Sequence, residues 1–120
     1  MTNTVVIQIG NSDDKLSQAS WNKYVEGVRE RLKAQIAEIH FDGSSPGDAP
    51  WQSHCFVVEL EDVELLRIEL KWLACAFDQE SVALIVCKKV EFVMAADENW
   101  NTKEEAHGEQ SQTKQEATDE

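Results

Sequence analysis

An α+β domain built on an antiparallel sheet is what this 120-residue sequence predicts, and three observations carry that reading. Two stretches repeat apolar residues at helical spacing. Four shorter stretches are β-branched or alternate in polarity. The two kinds follow one another in the order β-α-β-β-α-β. At this length the chain has room for one domain with one modest core.

Residues 4–9 (TVVIQI) read as the first strand, with Val5, Ile7 and Ile9 on one face and Val6 on the other. The turn GNSDDK follows, rich in residues that tolerate tight backbone geometry. Ser17 then suits the N-cap of a helix, and Leu16 can staple onto Trp21 inside it. Trp21, Val25, Val28, Leu32 and Ile36 supply that helix's apolar stripe, with Tyr24 at its edge, while Lys23, Glu26, Arg29, Glu30 and Lys33 face water. Residues 38–42 (EIHFD) alternate as a second strand, Ile39 and Phe41 inward and His40 outward. The loop GSSPGDAPW holds both prolines.

Residues 54–60 (HCFVVEL) form a third strand with Phe56, Val58 and Leu60 inward. Residues 62–77 (DVELLRIELKWLACAF) read as a helix of about four turns capped by Asp62. Val63, Leu66, Leu70, Leu73 and Phe77 make one stripe; Leu65, Ile68 and Trp72 lie well away from it around the axis. That apolar surface is too wide for a helix with a single buried face. Residues 81–94 form an apolar run longer than a typical strand, with a bulge or bend expected near Lys88 and Lys89. Together these elements match the ferredoxin-like plait: a four-stranded antiparallel sheet, first and third strands central, both helices on one face. Val6, Cys55, Val57, Ile85 and Cys87 would populate the uncovered face and favour self-association.

The formal charge of −12 argues against direct binding to nucleic acid or an anionic membrane, and suits a cationic partner or solubility. A single domain is expected over residues 1–95, followed over 96–120 by a disordered tail with eight acidic residues against Lys103 and Lys114. The N-terminus lacks the basic and long apolar regions of a signal peptide, and no run approaches a membrane span, so the expected location is the cytoplasm. Cys55, Cys75 and Cys87 lack CxxC spacing and sit in apolar elements, which predicts buried, reduced thiols.

Local chemistry is sparse. Asp13 and Asp14, adjacent at a turn, can hold a cation or simply complement a helix N-terminus. Gly10, Asn11 and Ser12 lack the glycine spacing of a phosphate loop. His40, His54 and Cys55 fit no zinc spacing, and the two histidines should point to opposite sheet faces. Trp51 can anchor a partner or fold back on the sheet edge, and the usual burial of indole surface favours the second. Trp72, with Leu65 and Ile68, is the better interface candidate. No nucleophile elbow, Ser–His–Asp order, Cys–His signature or cofactor fingerprint appears, so no cofactor or metal is expected.

The stretches IGNSDDKLSQASW (residues 9–21) and APWQS (residues 49–53) resemble those of a group of small uncharacterised bacterial and phage proteins. The resemblance spans roughly residues 4–94, implies a bacterial or phage origin, and brings no activity with it. A site marked by these stretches would lie where the loop after the first strand nears the loop between strands two and three. Two functions follow as expectations. The first is a small acidic, non-enzymatic protein-binding module, of the inhibitor or immunity type, neutralising a basic partner through Leu65, Ile68, Trp72, Trp51, Asp13 and Asp14. The second is a homodimeric small-molecule-binding protein or enzyme of the same fold.

Overall fold

The computed structural model describes residues 1–96. Met1–Val90 is one compact unit that holds every helix and strand of the described residues. The described residues of the second unit, 91–96, are in neither. The predicted acidic tail, apart from Ala96, lies outside the described residues.

The fold is α+β: β1 (Asn3–Gly10), a 3-10 turn (Ser12–Asp14), α1 (Gln18–Ala34), β2 (Glu38–Ser44), β3 (Ser53–Leu60), α2 (Val63–Ala76) and β4 (Ala83–Cys87). The strands form one antiparallel sheet in the order β2-β3-β1-β4, so β1 and β3 are central and β2 and β4 are edges. Val5, Ile7 and Ile9 of β1 and Phe56, Val58 and Leu60 of β3 share one face. They cluster with Trp21, Tyr24, Val25, Val28 and Leu32 of α1 and with Leu66, Leu70 and Leu73 of α2. Each such aliphatic side chain contributes about 1.5–3 kcal/mol by leaving water. The helices approach closely at Gly27, where an added Cβ would stand 3.3 Å from a Leu73 methyl.

Local signals set the helix ends. The Ser17 hydroxyl accepts from the Ser20 amide at 3.2 Å, and the Asp62 carboxylate accepts from the Leu65 amide at 2.9 Å. At the other end of α1 the Ile36 amide donates to Lys33 and the Ala37 amide to Leu32, a Schellman closure. It places Ile36 at φ 56° and leaves its side chain 90% exposed, so Ile36 is not part of the buried stripe. Tyr24, expected at the edge of that stripe, is wholly buried.

Three further expectations are corrected. The fourth strand is five residues long and ends before Lys88, because Cys87 already pairs with Thr4 and β1 begins only at Asn3; the remaining run has almost no partner strand left. The bulge lies instead in β2, between Ile39 and Phe41, with His40 as the extra residue. Phe41 therefore pairs with Val57 on the uncovered face and is 55% exposed, where simple alternation placed it inward. Its ring lies over Gly43, at which a Cβ would come within 2.6 Å of it. Finally, Cys75 is exposed on the outer side of α2, and Cys55 and Cys87 are half-buried.

Candidate functional site

Antiparallel pairing of β1 with β3 sets Gly10 opposite Ser53, and so brings the loop after β1 against the end of the β2–β3 loop. Asn11 ties the two together. It is wholly buried; its backbone amide donates to the Gln52 carbonyl at 3.0 Å and its Nδ2 to Gln52 Oε1 at 3.0 Å. Its Nδ2 also donates to the Leu16 carbonyl at 3.0 Å, while its Oδ1 accepts from the Leu16 amide at 2.9 Å. The Ser12 amide donates to Oε1 of buried Gln79 at 3.0 Å. This network holds Asp13 and Asp14 in consecutive left-handed conformations, φ 55° and 53°, each costing about 1 kcal/mol for a side chain that tolerates the region. Both carboxylates face solvent.

A row of amides continues from the same knot. Gln52 Nε2 donates to Gln18 Oε1 at 2.6 Å, and Gln18 Nε2 donates to Asn22 Oδ1 at 3.1 Å. Asn22 Nδ2, the last donor of the row, has no acceptor among the described residues. The row borders a concavity of about 400 Å³ between the start of α1 and the β2–β3 loop, lined also by Asp14, Ser44 and Trp51. Trp51 separates it from a second hollow of about 420 Å³ over Gly10–Asp14. The indole is 66% exposed, so it does not fold back on the sheet edge.

Behind Ser44 lies a chain of polar side chains. Its Oγ is 2.6 Å from His54 Nδ1, and His54 Nε2 is 2.5 Å from Asp42 Oδ1. Arg29 grips the same carboxylate with two bonds, Nε to Oδ2 at 2.6 Å and Nη2 to Oδ1 at 2.8 Å. His54 is only 5% exposed and its ring packs on Phe56, centroids 4.7 Å apart. The bulge at His40 makes this assembly possible: past it, Asp42 pairs with Phe56 and Ser44 with His54, on the covered face. The Arg29 guanidinium beside Asp42 holds its carboxyl down at about 2 against partial burial, helped by His54. Asp42 is thus an ionised acceptor, and the proton on His54 Nε2 donates to it. In the neutral ring Nδ1 is then bare and accepts the Ser44 hydroxyl proton.

Two other surfaces stand apart from this corner. On α2, Leu65, Ile68 and Trp72 are 42%, 51% and 64% exposed, and with Cys75 they form an outward seam at 3-4-3 spacing. On the uncovered sheet face, Val6, Val57, Ile85 and Phe41 sit beside Glu38, His40 and Glu59, whose ligand atoms lie within 4.8 Å of one another.

The structure therefore brings Asp13, Asp14 and Trp51 to one corner and leaves Leu65, Ile68 and Trp72 together on α2. Ser44, His54, Asp42 and Arg29 were not singled out as a site by sequence reasoning. The available signal was Asp42 and Ser44 two apart in a strand, followed by a histidine in the next. No family model matches the chain, and no curated protein matches it. Among the described residues, no helix is long and apolar enough to cross a membrane.

Proposed function

We propose that this protein is a small acidic docking module on a ferredoxin-like plait, working in the cytoplasm and binding a basic protein partner in the manner of an inhibitor or immunity protein. One observation carries the reading. The buried Asn11 knot displays the Asp13 and Asp14 carboxylates and the exposed Trp51 indole around adjoining hollows. A carboxylate pair beside an aromatic face is complementary to a lysine or arginine side chain, through charge and through cation–π attraction. The strand order and the common core of both helices support the plait. The overall charge of −12 favours a basic protein over nucleic acid or an anionic membrane. The two stretches resembling small bacterial and phage proteins are the ones that meet at this corner, in keeping with such an origin.

Calorimetric titration with a basic ribonuclease and with a polyarginine peptide tests the docking. The expected result is salt-sensitive binding that weakens about tenfold or more in Asp13→Asn/Asp14→Asn and in Trp51→Ala. Binding unchanged in those variants refutes the corner as the docking site. The homodimeric reading is favoured by the apolar open face of Val6, Val57, Ile85 and Phe41; light scattering of the full chain decides it, since a monomer excludes it.

A further inference from the structure

We propose that Ser44 is a nucleophile toward activated carboxylic esters, with His54 as its general base, Asp42 and Arg29 as positioning residues, and Asn22 as the donor facing the developing oxyanion. This goes beyond docking: it assigns an acyl-transfer activity to the hollow on the Ser44 side of Trp51.

The geometry meets the two hydrogen-bond requirements of an activated serine, nucleophile to base and base to orienting carboxylate. The imidazole is turned relative to the familiar proteases, since Nδ1 rather than Nε2 faces the hydroxyl, but the roles are unchanged. Ser44 is exposed while His54 behind it is buried, so substrate reaches the hydroxyl and water does not surround the base. Arg29 holds both oxygens of Asp42 and shares Oδ1 with His54 Nε2, which keeps the carboxylate an acceptor and so favours the tautomer that leaves Nδ1 free to take a proton. The spare Asn22 amide lines the same hollow.

The chemistry closes on itself. Ser44 Oγ bonds to the acyl carbon and its proton passes to His54 Nδ1. The ester C–O bond breaks, and the leaving oxygen takes that proton. Water then adds to the acyl carbon, gives a proton to Nδ1, and releases the acid as Ser44 Oγ regains the proton. The Asp14 carboxylate at the rim repels anionic acyl groups, and Trp51 offers a flat stacking surface. The substrate class is accordingly a neutral or cationic ester with a planar or apolar portion.

The test treats the full chain with a fluorophosphonate, which forms an Oγ–P bond with loss of HF, and maps the adduct by mass spectrometry. Turnover of p-nitrophenyl acetate is followed in a Cys75→Ala background, because that exposed thiol reacts with the ester by itself. The expected result is an adduct at Ser44, absent in Ser44→Ala, and ester turnover about 100-fold lower in Ser44→Ala and His54→Gln. Asp42→Asn should lower kcat with KM nearly unchanged, a split that loosened packing alone does not produce. Absence of a Ser44 adduct, or turnover unchanged in Ser44→Ala, overturns the proposal. Ser44→Ala, on an exposed edge strand, decides even if His54→Gln unfolds. Docking unchanged in the Asp13/Asp14 variant, with Ser44 still labelled, removes the docking reading alone; docking lost in that variant, with no Ser44 adduct in the parent, removes the nucleophile alone.

Discussion

The two faces of the sheet are made from the same four strands and obey different rules. The face under the helices is dry at its centre, with Val5, Ile7, Phe56 and Val58 fully buried, and turns polar only at the β2 edge, where Asp42, Ser44 and His54 are bonded to one another. The other face mixes Val6, Val57, Ile85 and Phe41 with Glu38, His40 and Glu59, and among the described residues no helix packs over it. One extra residue in β2 divides these sets. The bulge sends an aromatic ring outward and brings a carboxylate and a hydroxyl inward, so a local backbone irregularity decides where the chemistry sits.

The contrast is most sharply broken by paired truncation of its two phenylalanines. Phe56→Ala should cost about 3–5 kcal/mol in chemical denaturation, because it opens a cavity beneath both helices. Phe41→Ala, from a ring half in water, should change stability by about 0.5 kcal/mol or less. Near-equal costs would show that the open face is covered in solution.

The polar rim is probed by acid. The folded carboxyl of Asp42 is held at about 2, below its ordinary 3.8. Its stabilisation is therefore full above pH 4 and lost as pH falls toward 2. Asp42→Asn should lower stability at pH 7 by about 1 kcal/mol and flatten that part of the acid transition, as pH-dependent thermal melts would reveal.

Within the dry region one group is out of place. The Tyr24 hydroxyl is buried without a partner among the described residues, its ring stacked on Phe77 at 5.0 Å, and burial pushes its pKa up to about 12. Tyr24→Phe should raise stability by about 1 kcal/mol in the same denaturation assay. A loss instead would mean that the hydroxyl has a water partner.

The smallest expected effect is on the open side. Ile85→Lys should leave the monomer within about 0.5 kcal/mol of the parent. If that face self-associates, the same change lowers the molar mass seen by light scattering.

Much of the architecture was legible because the signals were local. Ser17 and Asp62 cap where their side chains predict, and the 3.6-residue stripes of both helices are the ones buried. The paired stretches around Asn11 and Trp51 come together because β1 and β3 are neighbours, which the element order already implied. What was not legible depends on non-local register. Nothing in EIHFD announces that His40 will be skipped by its partner strand, so simple alternation puts Phe41 inward. The meeting of Asp42 with His54 and Ser44 depends on that bulge and is not legible without it. Ile36 continues the apolar period, yet the helix has already closed at Gln35. The exposed Cys75 shares the outward seam of Leu65, Ile68 and Trp72, and composition alone does not distinguish that seam from the buried one.

The unpaired residue at His40 also governs where this sheet can grow. An edge strand recruits another chain when it offers a regular ladder of free amides and carbonyls. β2 breaks that ladder in its middle, and so makes a poor template. β4 pairs with β1 in unbroken register from Ala83 to Cys87 and carries neither charge nor proline, and among the described residues its outer side has no partner strand, which makes it the better template. Any ordered aggregate of this protein should therefore lengthen from the β4 edge, and a lysine or proline placed there is the economical protection against it.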